Sequence, residues 1–217
     1  SGWPTDTHAE SAAPVETDPE VEMAARAPAA KRVVVIDAGH GGVDPGATGI
    51  DGTHETDLVL ALAKSLRDAL ERTGKYVVVM SRDSDIFLSL KARVAVGRRA
   101  RADLFISLHY NSVESGADRV TGVEVYSLAP QYQYSHSDPD REDSTVAIAN
   151  LGNRQDHWNA LLAYTLHREL LSDLKASDRG LKRGRLAVLR VTSAPAVLVE
   201  AGFLSNDAEA RKIATPA

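Results

Sequence analysis

Four consecutive β-branched residues, Val33-Val34-Val35-Ile36, end in Asp37 and open into a loop with glycine at 39, 41, 42, 46, 49 and 52. A continuous apolar run has no polar face to give to water. It predicts a strand buried on both sides, as in a parallel sheet covered by helices. The chain then repeats the theme. Val59, Leu62, Leu66 and Leu70 recur near helical spacing over 56–73, and Gly74 suits the residue just past a helix end. Tyr76–Met80 reads as a second strand, and Ser89 can cap a helix running to about Arg101. Further strands are expected at Leu104–Leu108, Val120–Tyr126, Leu186–Leu189 and Ala196–Glu200, with helices at 144–152 and 155–174.

Alternating strands and helices define the α/β class. The expected architecture is a single domain with a mostly parallel twisted sheet of about six strands. Helices cover both faces, and a helical insertion lies near the active site. Residues 1–30, rich in Pro, Ala, Thr, Asp and Glu, read as a flexible N-terminal tail with room for a short helix over 18–28. Residues 31–217 are expected to form the catalytic domain. Within it, 127–157 turns polar and reads as an insertion or lid.

Composition narrows the chemistry. There is no cysteine, so disulfides, thiolate nucleophiles and cysteine-bound zinc are excluded, and any metal must be held by nitrogen and oxygen. A formal net charge of -5 argues against a nucleic-acid partner. No apolar run reaches transmembrane length.

In open α/β sheets, ligands bind beyond the carboxyl ends of the strands. Asp37 closes the first strand, His40 follows it, His109 follows the third, Glu200 closes the last, and Glu55 opens the first helix. His40, Glu55 and His109 can converge on one ion. Two imidazoles and a carboxylate suit zinc and leave a position for water, which ionises near neutral pH on the metal. Glu200 is then available as a proton carrier. Asp37 can orient the His40 ring, or simply cap the following loop. Spacing alone leaves these roles open, since no HExxH helix is present. The glycine loop lacks both the GK[ST] of a Walker loop and the GxGxxG of a dinucleotide loop, so it reads as backbone passing close to a site. His54 can substitute for Glu55. His136, His157 and His167 read as surface or packing residues. Arg179, Lys182, Arg183 and Arg185 can meet an anionic substrate or form a solvated turn.

Four blocks in order carry a family resemblance. Val35-Ile36-Asp37-Ala38-Gly39-His40-Gly41-Gly42-Val43-Asp44-Pro45-Gly46-Ala47 resembles the opening of the zinc-dependent N-acetylmuramoyl-L-alanine amidases, the bacterial cell-wall amidases involved in daughter-cell separation. Arg82, Asp83, Leu90 and Arg93 resemble its second block, Ala102 to Ser112 its second histidine block, and Pro195 to Asn206 its terminal catalytic block. The resemblance spans roughly 31–213. It implies His40, Glu55 and His109 as zinc ligands and Glu200 as the catalytic glutamate. The implied reaction is hydrolysis of the amide between N-acetylmuramic acid and L-alanine in peptidoglycan. Gly122 and Glu124 match a Gly-x-Glu element with a structural or substrate-side role, and Arg190 matches a recurrent basic position.

The resemblance also implies export to the periplasm, with the signal sequence absent from this chain, a division-linked activator protein as partner, and a monomer. By placement, the 127–157 insertion resembles a segment that covers the zinc and inhibits the enzyme. Glu142 is then the candidate inhibitory carboxylate, with Asp143 and Asp140 as rivals. Gly97-Arg98 stands where the family commonly has Ala-Asn, and the final helix should be short. The alternatives are a catalytically inactive amidase-like peptidoglycan-binding module, or a related zinc peptidase.

Overall fold

The computed structural model describes residues 30–136, 146–190 and 192–215. Its strands are β1 (Arg32–Ala38), β2 (Tyr76–Met80), β3 (Leu104–Asn111), β4 (Val123–Leu128), β5 (Asp178–Gly184) and β6 (Ala196–Phe203). Its α-helices are α1 (Glu55–Arg72), α2 (Leu90–Arg99), α3 (Asp156–Leu174), α4 (Ala187–Arg190) and α5 (Asp207–Ile213). The strands form one sheet in the order β2-β1-β3-β6-β4-β5. Every neighbouring pair is parallel except β4 with β6. The expected α/β class, strand number and mostly parallel sheet are therefore what the chain adopts.

Alternation along each strand divides the core in two. Val34, Ile36 and Ala38 of β1 pack with Val59 and Ala63 of α1, Ala163 of α3 and Ala210 of α5. Val35 faces the opposite way, with Phe105 of β3, Leu198 of β6 and Val188 and Leu189 of α4. Val94 and Val96 of α2 pack against that second cluster. Gly97 of α2 has a packing role of its own, because an added Cβ would approach the Phe105 ring to 3.1 Å.

Several boundaries differ from expectation. The strand expected at Leu186–Leu189 is instead the single helical turn α4, and the sixth strand is the charged segment Asp178–Gly184. A short apolar run does not distinguish strand from helix. An edge strand tolerates charge, which hides it from an apolar search. The start of β4 moves from Val120 to Val123 because Gly122 takes φ +111, a conformation that glycine tolerates. An added Cβ there would lie 2.1 Å from the Ser177 carbonyl oxygen. β3 and β6 run past their expected ends, so His109 is a strand residue and Glu200 lies within β6 rather than closing it.

The helix expected over 144–152 is not formed by its described part. Residues 146–150 are turn and coil, and a 3-10 segment begins at Leu151. The expected helix over 18–28 and the Glu142, Asp143 and Asp140 positions lie outside the described residues. Among the described residues, no helix is long and apolar enough to cross a membrane.

Candidate active site

The site begins with a strained turn. His40 follows β1 with φ +55, a left-handed conformation disfavoured for a residue with a Cβ. Two buried arginines hold the carbonyls leading into it. Arg82 Nε donates to the Ala38 carbonyl at 3.0 Å and Arg82 Nη2 to the Gly39 carbonyl at 2.6 Å. Arg93 Nη2 donates to the His40 carbonyl at 2.6 Å. Three successive peptide oxygens thus point at guanidinium groups rather than into the site. Sequence reasoning singled out both arginines through the resemblance without a role for either; a clamp made of backbone contacts leaves no spacing to read.

Asp37 belongs to this clamp. It is 1% exposed, accepts from Arg93 Nη1 at 2.9 Å and from Ser107 Oγ at 2.9 Å. Of the two roles open to Asp37, orienting the His40 ring is not the one it takes. His40 Nδ1 instead lies 2.9 Å from Asp44 Oδ2, one helical turn's worth of sequence further on. Asp37 points to the α2 face of the sheet and meets Arg93, whereas Asp44 sits in the glycine loop beside the ring.

Glu55 is the first residue of α1 and is buried. Its Oε2 accepts from Ala47 N at 2.8 Å, and its Oε1 accepts from Tyr110 N at 3.0 Å. Those amides aim the carboxylate between the two imidazoles. Oε2 lies 3.2 Å from His40 Nε2, and Oε1 lies 3.0 Å from His109 Nδ1. The two ring nitrogens are 3.2 Å apart. Candidate ligand atoms of His40, Glu55 and His109 all fall within 4.8 Å of one another. His54 stands outside, with Nδ1 against the Thr48 hydroxyl.

Glycine makes this convergence possible at two positions. A Cβ on Gly39 would come within 2.3 Å of the His109 ring. One on Gly46 would meet Glu55 Oε2 at 2.5 Å, and its φ of +67 already favours glycine. The glycine loop is thus backbone running against the site, as the sequence suggested.

Burial raises the affinity of Glu55 for a proton, but hydrogen bonds from His109 and His40 outweigh it and hold the carboxyl well below its usual range. The Glu55 hydrogen bond correspondingly raises His40, against the opposing effect of burial. Two nitrogen lone pairs and a carboxylate aimed at one point repel unless a proton or a cation lies between them. A nitrogen and oxygen set of this kind fits zinc.

Glu200 pairs with His109 in the β3–β6 register. Its Oε2 is buried and has no hydrogen-bond partner in the structure. Burial pushes its carboxyl up to about 7, with Glu55 and Glu124 adding to the shift and His109 opposing it. A cavity of about 160 Å³ adjoins the histidines, walled by Asp44, Phe87, Leu88 and Val188. The structure therefore brings together His40, Glu55, His109 and Glu200 and adds Asp44, which the sequence reading missed. The available signal is a carboxylate four residues after His40, within the glycine loop.

Comparison with known proteins gives the site its family. A family model described as N-acetylmuramoyl-L-alanine amidase matches residues 34–217. The N-acetylmuramoyl-L-alanine amidase AmiC of Neisseria meningitidis serogroup B is 36% identical over 195 residues, covering 82% of this chain and 46% of that protein. AmiC of Escherichia coli O6:H1 is 33% identical over 202 residues, covering 84% and 48%. The chain thus spans about half the length of these relatives. The crystal structure of an N-acetylmuramoyl-L-alanine amidase from Clostridium difficile 630 superposes with TM-score 0.70 at 30% identity, covering 85% of this chain and 87% of that one. The catalytic domain of CwlV, the amidase from Bacillus (Paenibacillus) polymyxa var. colistinus, superposes with TM-score 0.68 at 32% identity and the same coverage. With the match running from within β1 to beyond β6, this chain belongs to the N-acetylmuramoyl-L-alanine amidase family.

Proposed function

We propose that the protein is a zinc-dependent amidase that hydrolyses the bond between N-acetylmuramic acid and L-alanine in peptidoglycan. The observation that carries this reading is the His40–Glu55–His109 cluster with the unpartnered Glu200 Oε2 beside it. His40 Nε2, His109 Nδ1 and a Glu55 oxygen would hold the ion, and Asp44 fixes the His40 ring by accepting a hydrogen bond from its Nδ1. Zinc, when bound there, supplies Lewis-acid polarisation and an acidified water. Glu200 takes a proton from the attacking water on Oε2 and delivers it to the L-alanine nitrogen as the amide breaks. The products are the free lactyl carboxylate of the muramic acid and the amine of L-alanine.

The same reading places the reaction in the periplasm, on peptidoglycan as substrate, by a monomer. It gives the segment within 127–157 a regulatory role, with Glu142 competing for the site and a division-linked activator relieving it. Support for this part is the resemblance in position along the chain. Within the insertion, His136 meets the edge strand β5, where its N donates to the Arg183 carbonyl at 2.8 Å and Arg183 N donates to His136 Nδ1 at 2.8 Å.

The test is digestion of purified peptidoglycan by the zinc-loaded protein, scored by new L-alanine amino groups, with Glu200→Gln alongside. Release by the wild type and loss in a variant that still binds one zinc supports the reading. Zinc binding with no release from peptidoglycan or soluble muropeptides overturns it in favour of an inactive wall-binding module. Release from simple peptides alone favours a zinc peptidase.

A further inference from the structure

The sheet face that carries the proposed centre continues past it. Residues paired across adjacent strands project to the same side. His109 pairs with Glu200, Glu200 with Glu124, and Tyr126 with Lys182, so one face carries these groups in sequence across β3, β6, β4 and β5. The far end is basic. Lys182 Nζ donates to Glu124 Oε1 at 2.6 Å, and Arg179 Nε donates to the same oxygen at 3.3 Å. Tyr126 OH and Asn111 Nδ2 donate to Oε2 at 2.9 and 3.3 Å.

Four donors surround one buried carboxylate, and two of them are cations. Arg179 is held in a fixed pose, because its guanidinium is tied at Nε to Glu124 and lies 5.3 Å from the Phe203 ring centroid. Its terminal amino groups have no hydrogen-bond partner among the described residues, and its side chain is 37% exposed. A guanidinium held by Nε and an aromatic face presents a preformed two-donor fork, the geometry that grips a carboxylate. Arg183 is not part of it, since Nη1 is spent on Ser127 Oγ at 2.9 Å.

Strand spacing of about 4.8 Å puts Glu124 about 10 Å across the sheet from His109. That is the span of about three residues of extended chain. We propose that Arg179, supported by Lys182, is a carboxylate-binding subsite for the acidic peptide leaving group, gripping a carboxylate borne one to three residues beyond L-alanine. The proposal rests on the amidase reading and adds to it a basis for peptide selection. A role confined to neutralising Glu124 needs one cation, and Lys182 at 2.6 Å already fills it.

The experiment uses two substrates that differ only in peptide charge: an N-acetylmuramoyl tetrapeptide with every peptide carboxyl free, and the same compound with every one amidated. The zinc-loaded wild type should favour the acid in kcat/KM by about tenfold or more, mainly through KM. Arg179→Gln should bring the acid-to-amide ratio close to one, and Arg179→Lys should restore part of it. Arg168→Gln, which removes an exposed cation of α3 paired with Glu169, should keep the wild-type ratio. A wild type without acid preference, or an Arg179→Gln enzyme that retains it, overturns the subsite. If neither compound is cleaved, the amidase reading fails instead. Calorimetry with the product tetrapeptide and its fully amidated form then decides the subsite alone: an Arg179-dependent preference for the acid upholds it, and equal binding overturns it.

Discussion

Glu124 and Glu200 stand directly opposite each other across the antiparallel β4–β6 pair, and only Glu124 is surrounded by donors. Burial raises Glu200 to about 7 from an ordinary 4.5, and the Glu124 charge adds to it. The sign for stability follows. Folded Glu200 holds its proton to higher pH than the unfolded chain, so its contribution is full below 4.5 and is lost as pH rises through about 7. Glu200→Gln removes that loss. Unfolding of metal-free protein at pH 4 and pH 8 should show the variant gaining on wild type by on the order of 3 kcal/mol across the interval. Parallel stability curves would refute a raised Glu200. The same substitution should abolish hydrolysis by the loaded enzyme.

Arg93 ties the buried Asp37 to the backbone of the strained His40 turn. Removing one partner of a buried pair strands the other charge. Arg93→Ala should cost about 3–5 kcal/mol in urea unfolding. It should also lower zinc occupancy, because the His40 carbonyl loses its anchor. A loss under 1 kcal/mol would mean that water replaces the guanidinium without strain.

What the sequence made legible follows from which signals are local. Val33 to Asp37 and Leu104 to Leu108 are buried on both faces, so their strands are written as apolar runs. His40, His109 and Glu200 could be placed because each lies near the carboxyl end of such a strand. β5 was not legible: it is an edge with Arg179, Lys182 and Arg183 along it, and its pairing with β4 is a long-range fact. Its neighbour Leu186–Leu189 was misread because a buried turn of helix and a buried strand share a composition. The antiparallel β4–β6 pair, which sets Glu124 against Glu200, has no local signature at all. Asp37 has the end of a strand to mark it, whereas Asp44 reaches the His40 ring through a loop turn that leaves no pattern in the sequence.

Gly39 and Gly46 test whether backbone proximity is what builds the cluster. Gly39→Ala drives a methyl into the His109 ring, and Gly46→Ala drives one between Glu55 and His40. Both should lower zinc per chain sharply, while unfolding free energy falls by about 1–3 kcal/mol, the usual cost of overpacking. A control at Gly74, whose Cβ would meet nothing within 4 Å, strains only the backbone and should keep its zinc. Equal metal content in all three would remove the packing argument.

The proposed regulatory segment can be tested without stripping the fold. Asn153 Nδ2 donates to the Ala129 carbonyl at 3.0 Å and Asn159 Nδ2 to the Gly152 carbonyl at 3.1 Å, so a deletion reaching 152 would undo packing. Replacing 137–145 with a short Gly-Ser linker avoids those contacts. Activity on peptidoglycan should rise several-fold with zinc content unchanged. An unchanged rate in a folded variant would exclude inhibition by this segment, and with it a role for Glu142.

Zinc and protons should compete at His40. The Glu55 hydrogen bond and the Asp44 carboxylate both raise its pKa above 6.5 in the metal-free chain, so protonated His40 must lose a proton when the ion binds. Apparent zinc affinity should fall as pH drops through the raised value, beginning above 6.5. Asp44→Ala separates two effects. It lowers the His40 pKa, which moves the fall in affinity to lower pH. It also frees the ring to rotate, which weakens affinity at pH 8 by about tenfold. Competition titrations with a zinc indicator from pH 5.5 to 8.5 should show both changes together. Weaker binding with an unmoved pH dependence would assign Asp44 a steric role and remove its charge from the account.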